Sequence, residues 1–128
     1  MILDTNVILR LLDGPDHPLY KQAAAILAEA TIDGKRARVL DATIIEIAFV
    51  LRSQQTGYGL STGEIAHTIL ELVDSADLDL ERPSVIRKAA VDHRTTGFDF
   101  HDCYLAARAR HDGERVGSLD GELERLQR

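Results

Sequence analysis

Cysteine is nearly missing from this chain: Cys103 is the only one in 128 residues. A single thiol forms no internal disulfide and builds no zinc cluster by itself, which fits a reducing compartment such as the cytoplasm. Long apolar runs are missing as well. None approaches the roughly 20 residues of a membrane span. The short runs beginning at Ile2 and Val7 fall below a signal-peptide core, and no basic stretch precedes them. No membrane association is therefore expected. Repeats, low-complexity tracts and linkers are absent. So is an excess of positive charge: the formal net charge is −6, a poor electrostatic footprint for nucleic acid unless bound cations offset it locally.

What basic charge there is comes mostly from arginine, 12 of 15 residues. Some of it clusters, at Lys35, Arg36 and Arg38, at Arg82, Arg87 and Lys88, and at Arg108, Arg110 and Arg115. Arginine suits bidentate phosphate contacts, although charge runs are more often plain solvated surface. The 45% hydrophobic content argues for a folded domain. A chain this long buries about two-thirds of its unfolded surface without staples. A single domain over residues 1–128 is expected.

Short apolar runs alternate with longer helical periods. Met1–Leu3, Arg38–Leu40, Leu78–Leu80 and Arg115–Leu119 read as strands. Helices are expected over Thr5–Leu12, from His17 to about Asp33, from Ala42 to about Gln55, over Ser61–Val73, from Pro83 to about Thr95, and over Phe100–His111. A last helical turn is expected over Glu122–Leu126. Gly14-Pro15, Gly34, Gly57-Tyr58-Gly59 and Gly97 supply the breaks. Ser61 with Glu64 is a capping box, and Pro83 suits a first helical position. Strands alternating with helices imply an α/β three-layer fold: a short parallel sheet of about four strands flanked by helices.

Four carboxylates stand out against this frame. Asp4 and Asp120 follow strands directly. Glu46 lies early in the helix after the second strand, and Asp102 in the first turn of the helix before the fourth. Parallel sheets bind ligands at the carboxyl ends of their strands, which would gather these acids at one edge. Each acid also has a bland reading. Asp4 could cap a helix, Glu46 could close a capping box with Thr43, Asp102 lies three residues after Asp99, and Asp120-Gly121 resembles a turn. It is their joint placement that favours chemistry. Oxygen donors without a His or Cys pattern select Mg²⁺ or Mn²⁺, and such ions promote hydrolysis of phosphate esters. His17, His67, His93 and His111 read as surface residues. His101, beside Asp102, is the one histidine read as a candidate substrate contact. Cys103 reads as packing.

The segments Met1-Ile2-Leu3-Asp4-Thr5-Asn6, Ile44-Ile45-Glu46-Ile47-Ala48, Asp99-Phe100-His101-Asp102 and Ser118-Leu119-Asp120 together resemble the PIN-domain ribonucleases, and within them the VapC-type toxins of toxin–antitoxin pairs. Leu119 departs from the family's usual aromatic, while Ser118 keeps a hydroxyl. The resemblance implies a Mg²⁺- or Mn²⁺-dependent endoribonuclease whose metal ligands and catalytic acids are Asp4, Glu46, Asp102 and Asp120. Thr5, Asn6, Asp99 and Ser118 would support them, and Arg10 would contact RNA. The homodimer and the cognate antitoxin are implied by the resemblance alone. Apolar residues such as Ile65, Ile69 and Leu72 are the expected partner surface. Two alternatives remain: an inactive PIN-like RNA-binding or interaction module, and an aspartate-dependent phosphatase. The phosphatase is weakened by Asn6, which stands where a second acid is wanted.

Overall fold

Two three-residue strands with buried ends and an exposed middle, Ala37–Val39 (β1) and Leu78–Leu80 (β2), form the sheet. They pair in parallel, Ala37 opposite Leu78 and Val39 opposite Leu80, in a computed structural model that describes residues 1–128. The chain between them supplies the long crossover that parallel pairing requires. The opening segment adds one parallel bridge, Ile2 to Arg38, closed by Leu3 N–H to the Arg38 carbonyl and Arg38 N–H to the Met1 carbonyl, both 2.9 Å.

The sheet therefore has two strands and not the expected four or so. Met1–Leu3 contributes a single bridge. Arg115–Leu119 pairs with no strand, and the backbone groups of Val116 are met another way. The Gln127 side-chain amide accepts from Val116 N–H at 2.7 Å and donates to the Val116 carbonyl at 3.1 Å. One side chain thus does for Val116 what a neighbouring strand does elsewhere, and Gly117 offers no side chain to pack.

Seven helices surround this sheet: α1 (Thr5–Asp13), α2 (Tyr20–Ala30), α3 (Asp41–Arg52), α4 (Thr62–Asp74), α5 (Pro83–Thr96), α6 (Phe100–His111) and α7 (Gly121–Leu126). The capping box on α4 is complete, with Ser61 Oγ accepting from Glu64 N–H and Glu64 Oε1 accepting from Ser61 N–H. Pro83 opens α5, and Gly97 ends it in the left-handed region at φ 73°, where a side chain would be strained. The second helix starts later than the periodicity suggests. Pro18 disfavours helical backbone at His17, and a turn from His17 to Tyr20 comes first.

One core runs through these layers, centred on Leu3, Val39, Ile44, Ile47, Ile69 and Ile86. Ile65 and Ile69 are fully buried and Leu72 nearly so. The partner surface expected there is part of the core instead, because α5 packs across that face of α4. Exposed apolar residues lie elsewhere, at Leu12, Leu19, Ile26 and Phe49 among others. No helix is long and apolar enough to cross a membrane.

His93, expected at the surface, is also buried, at 1% exposure. Its Nδ1 lies 2.6 Å from the Phe98 carbonyl, and its ring meets Phe100 edge-on. The carbonyl can only accept, so Nδ1 carries the proton. Burial lowers the pKa of this imidazole, with Arg52 adding to the effect. A depressed folded value means that the stability gained from neutral His93 is present above the unfolded pKa and is lost as pH falls towards the folded value. Denaturant unfolding of the native chain should therefore weaken from pH 7 to pH 5 by more than that of His93→Gln. Parallel curves for the two proteins would contradict a buried neutral histidine. Cys103 is buried as expected, and burial pushes its thiol up to about 12, so it is no nucleophile at neutral pH.

Candidate metal centre and active site

Asp4, Asp41 and Arg82 lie just past the carboxyl ends of the three parallel segments. This is the edge where open parallel sheets bind ligands. Asp4 occupies the N-cap position of α1 with extended backbone, yet its carboxylate makes no capping hydrogen bond and stays exposed. The capping role that would account for it is thus unused. Thr5, buried beside it, donates its hydroxyl to Glu46 Oε2 at 2.8 Å. That bond spans 41 residues and ties the opening segment to α3. Glu46 closes no capping box with Thr43, because α3 begins at Asp41 and places Thr43 inside the helix.

A second group forms where α6 meets α7. One oxygen each from Asp102, Asp120 and Glu122 falls within 4.8 Å of the others. The Asp102 pKa is raised, first by burial and then by the charges of Asp99 and Asp120, with Glu122 adding to them and His101 opposing. Carboxylates gathered this closely repel one another unless a cation or a proton intervenes. The all-oxygen donor set fits a hard divalent cation. Asp120 also caps α7, accepting from Glu122 N–H at 2.8 Å, and Ser118 Oγ accepts from Asp120 N–H at 2.9 Å. Those two bonds fix the turn that presents Asp120. Asp99 caps α6 by accepting from His101 N–H at 2.8 Å, and His101 itself is exposed.

The structure thus brings Asp102 and Asp120 together and links Thr5 to Glu46. Asp4 and Glu46 belong to no acid trio at the same spacing. A cavity lined by Glu46, Asp99 and His101 joins α3 to the start of α6. Asn6 is exposed and lines a shallow hollow with Leu19 and Ile26 of the α1–α2 face. Arg10 is engaged internally, its Nε 3.0 Å from Asp13 and its far end near Tyr58 and His17. Its guanidinium is thus already neutralised in part by Asp13.

Two features escaped the sequence. Glu122 looks like ordinary first-turn helix acid, and the only hint is its spacing of two from Asp120. The other is a polar network around Asp41, which is buried at the start of α3. Asp41 Oδ2 accepts from the Tyr104 hydroxyl at 2.6 Å and from Arg82 at 3.0 Å, and Arg108 donates to the Tyr104 oxygen at 3.1 Å. Glu81 Oε1 accepts from Asp41 N–H at 2.9 Å. Tyr104 and Asp102 share α6, while Asp41 and Glu46 share α3, so this network holds the two acid-bearing helices in register. Tyr104→Phe removes the hydroxyl from both bonds and should cost about 1–3 kcal/mol of stability by urea unfolding. An unchanged midpoint would mean that the network is slack.

Carboxylates collected at the strand ends and helix starts of an α/β domain are donors suited to a hard divalent cation. The chain belongs to the PIN domain family, whose sequence profile matches residues 1–128. PIN domains bind RNA and are generally metal-dependent nucleases with an acidic cluster. No curated protein and no solved structure matches the chain.

Proposed function

We propose that the chain is a Mg²⁺- or Mn²⁺-dependent endoribonuclease and serves as the toxin of a type II toxin–antitoxin pair. The observation that carries the catalytic half is the meeting of Asp102 of α6 with Asp120 and Glu122 at the start of α7, one oxygen of each within 4.8 Å of the others. Asp102, Asp120 and Glu122 would hold the cation, with Asp4 and Glu46 completing the acid surface. When bound, the cation supplies an activated water and neutralises charge developing at phosphorus. Thr5 fixes one oxygen of Glu46 and leaves the other free. Ser118 and the α7 cap hold Asp120 in place, and Asp99 holds the first turn of α6. His101, exposed beside Asp102, would meet the RNA backbone.

A homodimer and a cognate antitoxin complete the reading. Leu19 and Ile26, left exposed beside Asn6 and Val7 where α1 meets α2, favour that face for the antitoxin. The deciding experiment incubates the purified chain with total RNA in Mg²⁺, in Mn²⁺ and with chelator. Fragments should appear with either ion and vanish with chelator. RNA retained but uncut under all three conditions would leave the binding-module reading in its place.

A further inference from the structure

Between α3 and the start of α6 lies a cavity of about 450 Å³, lined among others by Phe49, Arg52, Phe100, Glu46 and Asp99. Its volume falls in the range of about 300–1,000 Å³ typical of small-ligand sites. Glu46 and Asp99 line one side of it, so an occupant would lie against the acids of the proposed nuclease site. Phe49 stands 73% exposed on α3, an unusual setting for a large aromatic ring. Arg52, one turn further along, lines the same cavity and is exposed, and its guanidinium is committed to no ion pair, unlike those of Arg10, Arg82 and Arg108. The rest of the wall is apolar or neutral: Phe100 is buried, and His93 is uncharged at neutral pH.

A concave apolar wall with one open aromatic face and one unpaired guanidinium matches how proteins hold a base of single-stranded RNA. The base stacks on the ring while its edge is read by hydrogen bonds. Arginine only donates, so it favours an edge made of acceptors. Guanine offers O6 and N7 side by side, whereas adenine sets an amino group beside N7. We infer that this cavity is a guanine-preferring base subsite for the nucleotide next to the cleaved bond, with Phe49 stacking and Arg52 reading the edge; the inference rests on the nuclease reading for its place beside the acids. A protein partner suits the site less well. The hollow is short and ends in carboxylates, where a docked helix would need a long apolar groove.

The test titrates GMP, AMP, CMP and UMP in Mg²⁺ into the ¹⁵N-labelled chain, observed by NMR, alongside the RNA cleavage assay. GMP should shift the amide signals around Phe49 and Arg52 and bind at least about fivefold more tightly than AMP. Arg52→Ala should remove the preference for GMP over AMP, and Phe49→Ala should weaken all nucleotides about tenfold. Both side chains are exposed, so neither change threatens folding. Cleavage of RNA with no nucleotide binding at α3 would overturn the subsite and leave the nuclease reading standing. Selective GMP binding without cleavage would support the subsite and sink the nuclease reading. If Phe49→Ala alters the sedimentation of the chain but not GMP affinity, the ring is a contact between copies and the subsite is overturned.

Discussion

Asp102→Asn should slow RNA cleavage a hundredfold or more, about 2.7 kcal/mol of transition-state stabilisation, while Asp99→Asn stays within about tenfold. The two residues are three apart and both carry acids at the start of α6, yet their surroundings differ. Asp102 is half-buried, and its oxygen lies within 4.8 Å of those of Asp120 and Glu122. Asparagine there removes an anionic donor from the only close acid trio. Asp99 already spends Oδ1 on the His101 N–H, and asparagine caps helices about as well as aspartate. Its charge matters indirectly, as one of the causes that raise the Asp102 pKa. Single-turnover cleavage of one RNA by both variants at saturating Mg²⁺ decides the matter. An active Asp102→Asn beside a dead Asp99→Asn would reverse the assignment.

The helices were legible in the sequence because their signals are local. Ser61 with Glu64, Pro83 and Gly97 each act within one turn, and each marks a boundary that the structure keeps. The strands were less so, because a strand is defined by its partner. Leu78–Leu80 and the neighbourhood of Val39 find one. Arg115–Leu119 has the same apolar look but receives the Gln127 amide instead, a choice made 11 residues away. The buried faces of helices were misjudged for a similar reason. Ile65 and Ile69 resemble a spare stripe until α5 covers them, and His93 looks solvated until the Phe98 carbonyl and the Phe100 ring enclose it.

In the site, what was readable was chemical type at strand ends and helix starts. That was enough to single out Asp4, Glu46, Asp102 and Asp120, and a family resemblance carried them further. Pairings over long separations were not readable. Thr5 with Glu46 spans 41 residues and Asp41 with Tyr104 spans 63. The Asp41 case is instructive, because a buried acid at the first position of a helix looks in sequence like a favourable dipole partner and nothing more. Its second oxygen, Oδ1, is buried without a partner. A buried carboxylate left half unsatisfied is costly, and it is held by the same bonds that keep α3 and α6 in register.

Divalent metal should raise the melting temperature sharply, and Asp102→Asn should remove most of that rise. The Asp102 pKa is raised in the folded chain by burial and by its acidic neighbours. A raised folded value means that the protonated group's stability is fully present below the unfolded pKa and is lost as pH rises through the folded one. At pH 7 the metal-free chain therefore carries the repulsion in full. Asp102→Asn should melt higher than the native chain at pH 7 without metal, and this advantage should shrink towards pH 4 as the native carboxyl takes up its proton. A cation that binds only the folded chain stabilises it by about 2.7 kcal/mol at a hundred times its dissociation constant, which is roughly 10 °C for a domain of this size. The native chain should thus gain strongly with Mn²⁺ at pH 7 and little near pH 4, where proton and metal compete for the same oxygens. The asparagine variant should start higher and gain little at either pH. Equal metal responses from the two proteins would place the cation away from Asp102. A native chain that melts no lower than the variant without metal would show that the three carboxylates do not strain the fold.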